Sequence, residues 1–136
     1  MIKPINHNEL TLAQPSVPAQ LTDKQVIIDL NDTFNAHREN CVGMAANMIG
    51  VNKNIIIFEM GILAITMVNP EITSRLEAYP VSEGCLSLKG QRETIRYQKI
   101  TVKYLDSNFK PQQQQFSGFV AQIIQHEIDH CNGILI

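Results

Sequence analysis

The pentad His126-Glu127-Ile128-Asp129-His130 limits what this chain can fold into more than any other stretch. On a helix, residues four apart stand one above the other on a single face. Both imidazoles can then reach one metal ion, while Glu127 lies beside the remaining coordination position. By composition alone the pattern arises in under roughly one percent of chains this long, so the surrounding sequence decides its meaning.

A helix is predicted around it over about residues 118–131, closed by the C-cap pair Asn132-Gly133. Phe119, Ile123, His126 and His130 follow steps of four, three and four, which predicts a stripe facing the core. Val120, Ile124 and Ile128 form a second stripe, so the helix should be buried on much of its circumference. Upstream, Thr22-Asp23-Lys24-Gln25 has the form of a capping box, and Val26, Ile27, Leu30 and Phe34 recur at helical spacing behind it. A helix is expected there from about Asp23 to His37.

Between the helices lie strand signals. Asn54 to Phe58 and Ile62 to Val68 are β-branched runs, Glu71 to Tyr79 is a weaker candidate, and Ile95 to Tyr104 alternates cleanly. Val42 to Gly50, rich in small residues, reads as a tight loop or turn; Gln112 to Gln115 reads as a polar strand face or loop. The Pro-rich first twenty residues are expected to run irregularly over the surface. Strands lying between two helices, without βαβ alternation, predict an α+β fold. A length of 136 residues fits one domain, residues 1–136.

A net charge of -2 from mixed signs, with no basic run, gives no footprint for nucleic acid or an acidic membrane surface. Neither a signal-type apolar segment nor a membrane span of ~18 apolar residues is visible, so a cytoplasmic protein is expected. Three cysteines, Cys41, Cys85 and Cys131, cannot all pair within one chain, which argues against a disulfide framework.

His126 and His130 could be two core histidines bonded to carbonyls. Without a metal, however, a buried pair needs partners for four ring nitrogens, and one cation removes half that demand. Catalytic metal sites usually supply three protein ligands and leave a fourth position open. Only Gly133-Ile134-Leu135-Ile136 follows the Cys131-Asn132 turn, so a third ligand has to come from upstream. Cys85, in Glu83-Gly84-Cys85-Leu86-Ser87, is the best candidate. His7 and His37 read as solvated, and Cys131 points about 100° away from His130 around the helix.

Val42-Gly43-Met44-Ala45-Ala46, Glu83-Gly84-Cys85-Leu86-Ser87 and Gln125-His126-Glu127-Ile128-Asp129-His130 together resemble the three ordered motifs of peptide deformylases. The resemblance runs from the first helix to Ile136. It implies antiparallel β-sheets around a central metal-binding helix, and hydrolytic removal of formyl from the N-terminal methionine of nascent polypeptides. It further implies that Cys85, His126 and His130 bind one divalent ion, natively Fe(II), with Zn(II) or Ni(II) accepted. A His₂Cys set suits such ions. Glu127 is then the general base for water attacking the formyl carbon, and the Leu86 backbone N–H is an oxyanion donor. Val42, Gly43, Met44 and Arg92 are implied peptide contacts. Glu83 could brace the ligand loop through Arg96, or the two could form a surface pair.

The family's first motif normally reads Gly-x-Gly-x-Ala-Ala-x-Gln, and here Cys41 and Met48 replace the first glycine and the glutamine. That glutamine is understood to donate to the developing oxyanion, which a thioether cannot do. Losing one such donor typically costs ~10²–10³ in rate, so reduced activity is expected. The implied partners are N-formylated nascent peptides, with transient ribosome contact, although many relatives carry a tail beyond the position of Ile136. A monomer is expected. The alternative is a non-catalytic metal-containing paralogue that binds N-terminal peptides. A general zinc endoprotease lacks its downstream ligand here, and a structural metal site lacks a fourth one.

Overall fold

The computed structural model describes residues 1–136. Three α-helices, α1 (Glu9–Leu12), α2 (Lys24–Ala36) and α3 (Gly118–Cys131), accompany five strands. The strands are β1 (Gly43–Ala45), β2 (Ile55–Met60), β3 (Leu63–Cys85), β4 (Leu88–Leu105) and β5 (Pro111–Ser117). They form one antiparallel sheet in the order β1-β2-β3-β4-β5. This is the α+β fold expected, with the fragments at Ile62–Val68 and Glu71–Tyr79 joined into one long strand. Irregular register between Val68 and Glu71 and between Ile72 and Ser74, with Asn69 and Glu77 at positive φ, interrupts that strand's pairing. Such interruptions mask a two-residue period in the sequence.

Side-chain alternation on β2 explains how one sheet supports two helices. Ile55 and Ile57 point into a cluster with Leu30 and Phe34 of α2, while Ile56 and Phe58 point into one with Ile124 and Ile128 of α3. All four β2 residues are fully buried, so this strand is core on both faces. The helix boundaries fall close to those predicted, but the capping box at Thr22–Gln25 does not form. A one-turn 3-10 helix, Leu21–Asp23, leads into α2, and the Asp23 carboxylate turns back to accept from the Gln20 N–H at 2.8 Å.

The first twenty residues run over the surface as expected, mostly exposed and irregular apart from α1, but they are pinned at several points rather than loose. Leu12 is fully buried, Asn6 N–H donates to the Met48 carbonyl at 2.7 Å, and Ser16 N–H donates to the Cys131 carbonyl at 2.7 Å. This segment straps the turn after β1 to the end of α3. Its partners lie far along the chain, beyond the reach of local periodicity. The Val42–Gly50 loop contains β1 and a second 3-10 turn, Ala46–Ile49, ended by Gly50 at φ 84°. No helix is long and apolar enough to cross a membrane.

Candidate metal centre

Cys85 ends β3, just before the two-residue turn Leu86-Ser87 at the tip of the β3–β4 hairpin. A register shift between Gly84 and Cys85 marks a bulge there, and bulges re-aim side chains out of the pleat. His126 and His130 stand one turn apart on α3, 7% and 0% exposed. The fold brings one ligating atom of each of these three residues within 4.8 Å of the others. His126 Nε2 and His130 Nε2 are 3.2 Å apart. Two nitrogens sharing a tetrahedral cation at ~2.0–2.1 Å would stand roughly 3.3 Å apart, so the spacing fits one ion between them.

The His126 ring is aimed by what lies behind it. Its Nδ1 donates to Glu83 Oε1 at 2.8 Å, which would present Nε2 to an ion. Burial would lower the imidazole, but the bonds to Cys85 and Glu83 outweigh it and raise it to about 10. Glu83 also accepts from Arg96 Nε at 3.2 and 3.1 Å, from Arg96 Nη2 at 2.7 Å and from Gln122 Nε2 at 2.9 Å. Arg96 Nη1 reaches Asp129 Oδ2 at 2.6 Å, closing the network onto α3. Burial would raise the Glu83 carboxyl, but the bonds from His126, Arg96 and Gln122 outweigh it and hold it at about 2. With Glu83 7% and Arg96 3% exposed, the surface-pair reading of these two gives way to a buried one. On the thiol side, Ser87 N–H points to Cys85 Sγ at 3.4 Å, and the exposed His7 donates from Nδ1 to the Ser87 carbonyl at 3.0 Å.

Glu127 is 4% exposed, and its Oε1 is buried without a hydrogen-bond partner. A buried carboxylate oxygen with nothing to accept from is costly unless a partner arrives from the site. Burial is the main cause that pushes its carboxyl up, to about 7. Gly43 permits this placement, because a Cβ there would sit 2.7 Å from Ile123 Cγ2 and 2.8 Å from Glu127 Oε2. His130 Nδ1 is also buried without a partner, while its backbone carbonyl accepts from Asn47 Nδ2 at 2.8 Å. Burial, then the neighbouring His126, lowers the His130 imidazole to about 3. A neutral ring is the ligating form.

A cleft of about 500 Å³ opens beside this cluster, lined by Val42, Gly43, Leu86, Phe119, Gln122 and Ile123 together with Cys85, His126 and Glu127. Of the implied peptide contacts, Val42 and Gly43 line the cleft, as does Leu86, the implied oxyanion donor; Met44 and Arg92 do not. Met44 is fully buried in the α2-facing core, and Arg92 Nη1 caps the Lys89 carbonyl at 3.3 Å outside the cleft lining. Alternation along β1 turns Met44 away from the side its neighbours face.

Met48 is 1% exposed and absent from the cleft lining, with its sulfur 3.4 Å from the Ala45 N–H. Phe119, expected in the core, is 61% exposed and forms a cleft wall. The inward stripe of α3 thus borders the cleft from Phe119 through Ile123 to His126, and only Phe119 at its start is left exposed. Cys131 packs in the core, and His37 Nδ1 donates to the Thr33 carbonyl at 2.8 Å, so neither joins the cluster. Cys41 lines the cleft and donates to the Gly43 carbonyl at 2.7 Å. Burial is the main cause raising its thiol to about 12. Sequence reasoning missed Gln122, Asp129 and Tyr79. Gln122 carried a legible signal, being a polar residue one turn before His126, beside the inward stripe.

The polypeptide deformylase family model matches residues 2–136. A peptide deformylase of Clostridium beijerinckii is 53% identical over 136 residues, all of both chains. The crystal structure of a Legionella pneumophila peptide deformylase superimposes with a TM-score of 0.88 at 35% identity, covering 99% of this chain and 83% of that one. An Acinetobacter baumannii peptide deformylase described with Met-Ala-Ser bound gives 0.86 at 31% identity, covering 99% and 96%. This chain belongs to the polypeptide deformylase family, metal-dependent hydrolases that remove the N-formyl group from nascent peptides.

Proposed function

We propose that Cys85, His126 and His130 hold one divalent ion, and that Glu127 carries the proton in hydrolysis of N-terminal formyl-methionine. The observation that carries this reading is the convergence of a thiol from the β3–β4 tip with two imidazoles of α3 beside an unpartnered carboxylate. Bound there, the ion supplies Lewis acidity that activates water and polarises the formyl carbonyl. Glu127 takes a proton from the attacking water and returns it to the departing amine, giving formate and a free N-terminus. The Leu86 N–H, at the cleft wall, donates to the formyl oxygen as charge builds on it. The peptide runs along β1, an edge strand bordering the cleft, where Val42 and Gly43 offer backbone pairing.

The donor set suits Fe(II) as the native ion, with Zn(II) or Ni(II) accepted. The chain acts as a single domain over residues 1–136 and as a monomer in the cytoplasm, meeting its substrates in transient contact with the ribosome.

Met48 brings no N–H to the oxyanion, so turnover is slower than with glutamine at this position, by ~10²–10³. The same residue favours a second reading, a metal-containing paralogue that binds N-terminal peptides without efficient turnover. Anaerobic purification, metal counting and assay of a formyl-methionyl tripeptide separate the two. Expected are one ion per chain, slow turnover that Glu127→Ala abolishes, and at least a tenfold higher kcat in Met48→Gln. Peptide affinity without any formate release would establish the binding paralogue, and wild-type rates matching glutamine-bearing relatives would remove the proposed handicap.

A further inference from the structure

Gln122 is a polar side chain set between the apolar Phe119 and Ile123 on the cleft face of α3. It stands one turn before His126. Its amide has no freedom to flip. Arg96 and the His126 ring keep Glu83 an acceptor, so the amide nitrogen must face that carboxylate, at 2.9 Å. The amide oxygen is then left to accept from Tyr79 Oη at 3.2 Å. Donation to Glu83 uses one of the two N–H bonds, and no hydrogen bond within the protein uses the other.

We infer that this second N–H of Gln122 is a specificity determinant for the first side chain of the substrate. It selects side chains that carry a hydrogen-bond acceptor near their end over hydrocarbon isosteres. The thioether of methionine is a weak acceptor of this kind, and the sulfoxide of oxidised methionine is a strong one. Formylated peptides beginning with methionine sulfoxide are therefore a further substrate class for this cleft. The physical basis is asymmetric. An aliphatic end group leaves an oriented amide donor unpaired against apolar surface, whereas an acceptor satisfies it at no cost in reorientation, because Glu83 and Tyr79 already hold the amide in place. Tyr79 is thus a positioning residue that acts through Gln122. The inference rests on the deformylase reading of the cleft.

Three otherwise identical formyl tripeptides, beginning with methionine, methionine sulfoxide or norleucine, test it on the metal-loaded protein. Ratios of kcat/KM between substrates cancel differences in metal loading and active fraction among variants. Wild type should favour sulfoxide over norleucine. Gln122→Leu should lower that ratio by about tenfold, the worth of one hydrogen bond. Tyr79→Phe leaves the amide in the cleft but unpins it, and should lower the ratio by about two- to threefold. Dissociation constants of the corresponding deformylated peptides should follow the same order. A wild type that prefers norleucine, or a Gln122→Leu ratio within twofold of wild type, overturns the inference. If no formyl peptide is turned over at all, the deformylase reading fails separately, and the peptide dissociation constants still decide the role of Gln122.

Discussion

Glu83 shows how much one side chain can carry at the residue scale. Its buried carboxylate receives the buried His126 ring and Arg96 guanidinium and the half-buried Gln122 amide. Glu83→Gln keeps the shape but removes the charge, leaving Arg96 buried with only Asp129 as a counter-ion. Loss of a carboxylate that orients a ligating histidine typically weakens metal affinity by ~10–100-fold. Competition with a chelator of known affinity should show that drop, and an unchanged affinity would confine Glu83 to a packing role. The residue was visible in the second motif, yet its burial was not, because a charged pair reads as solvated until tertiary packing covers it. Met44 fails in the opposite direction. Its motif position suggested peptide contact, but one-residue alternation on β1 sends it into the core beside Leu30 and Phe34.

Elements are held in register by their ends. Gly133 follows α3 at φ 76°, and a Cβ there would meet the Ala13 carbonyl oxygen at 2.5 Å. Gly133→Ala thus combines left-handed strain with a backbone collision, and should destabilise by roughly 2–4 kcal/mol in denaturant unfolding. A wild-type midpoint would mean that the N-terminal strap simply moves aside. The β4–β5 connection depends on Asp106, whose carboxylate accepts from the N–H groups of Asn108 at 2.9 Å and Lys110 at 3.1 Å, and from Gln112 Nε2 at 3.1 Å. The Lys110 backbone bond, first among these, lowers its carboxyl below the ordinary 3.8. A carboxyl depressed on folding contributes stability above its unfolded value and loses it as pH falls through the folded one. The stability advantage of wild type over Asp106→Asn should accordingly be full at pH 6 and shrink below about pH 4. A difference that stays constant from pH 6 to pH 3 would contradict this. The α2 and α3 segments were legible because burial on one side imprints a 3.6-residue period. The long β3 was read as two pieces, because its bulges interrupt the two-residue period.

Across the whole molecule, the proposed ion links a strand tip near the middle of the chain to the last helix, which makes folding and metal binding one equilibrium. Chelation should lower the apparent stability by about 4 kcal/mol if the ion is present at a thousand times its dissociation constant. In a domain of this size that is a fall in Tm of roughly 10–20 °C. An identical Tm with and without chelator would show that the site is rigid without its ion, or never filled. The pentad on α3 was fixed by local spacing alone, since residues four apart share a helix face in any tertiary setting. The family followed from three short motifs in order. What only the tertiary structure decided is which side chains surround those motifs. Phe119 and Gln122 became cleft walls, Met44 and Met48 became core, and the first twenty residues became a strap. Periodicity records that a face is covered, but the covering residues come from anywhere along the chain, and only the closed fold determines which they are.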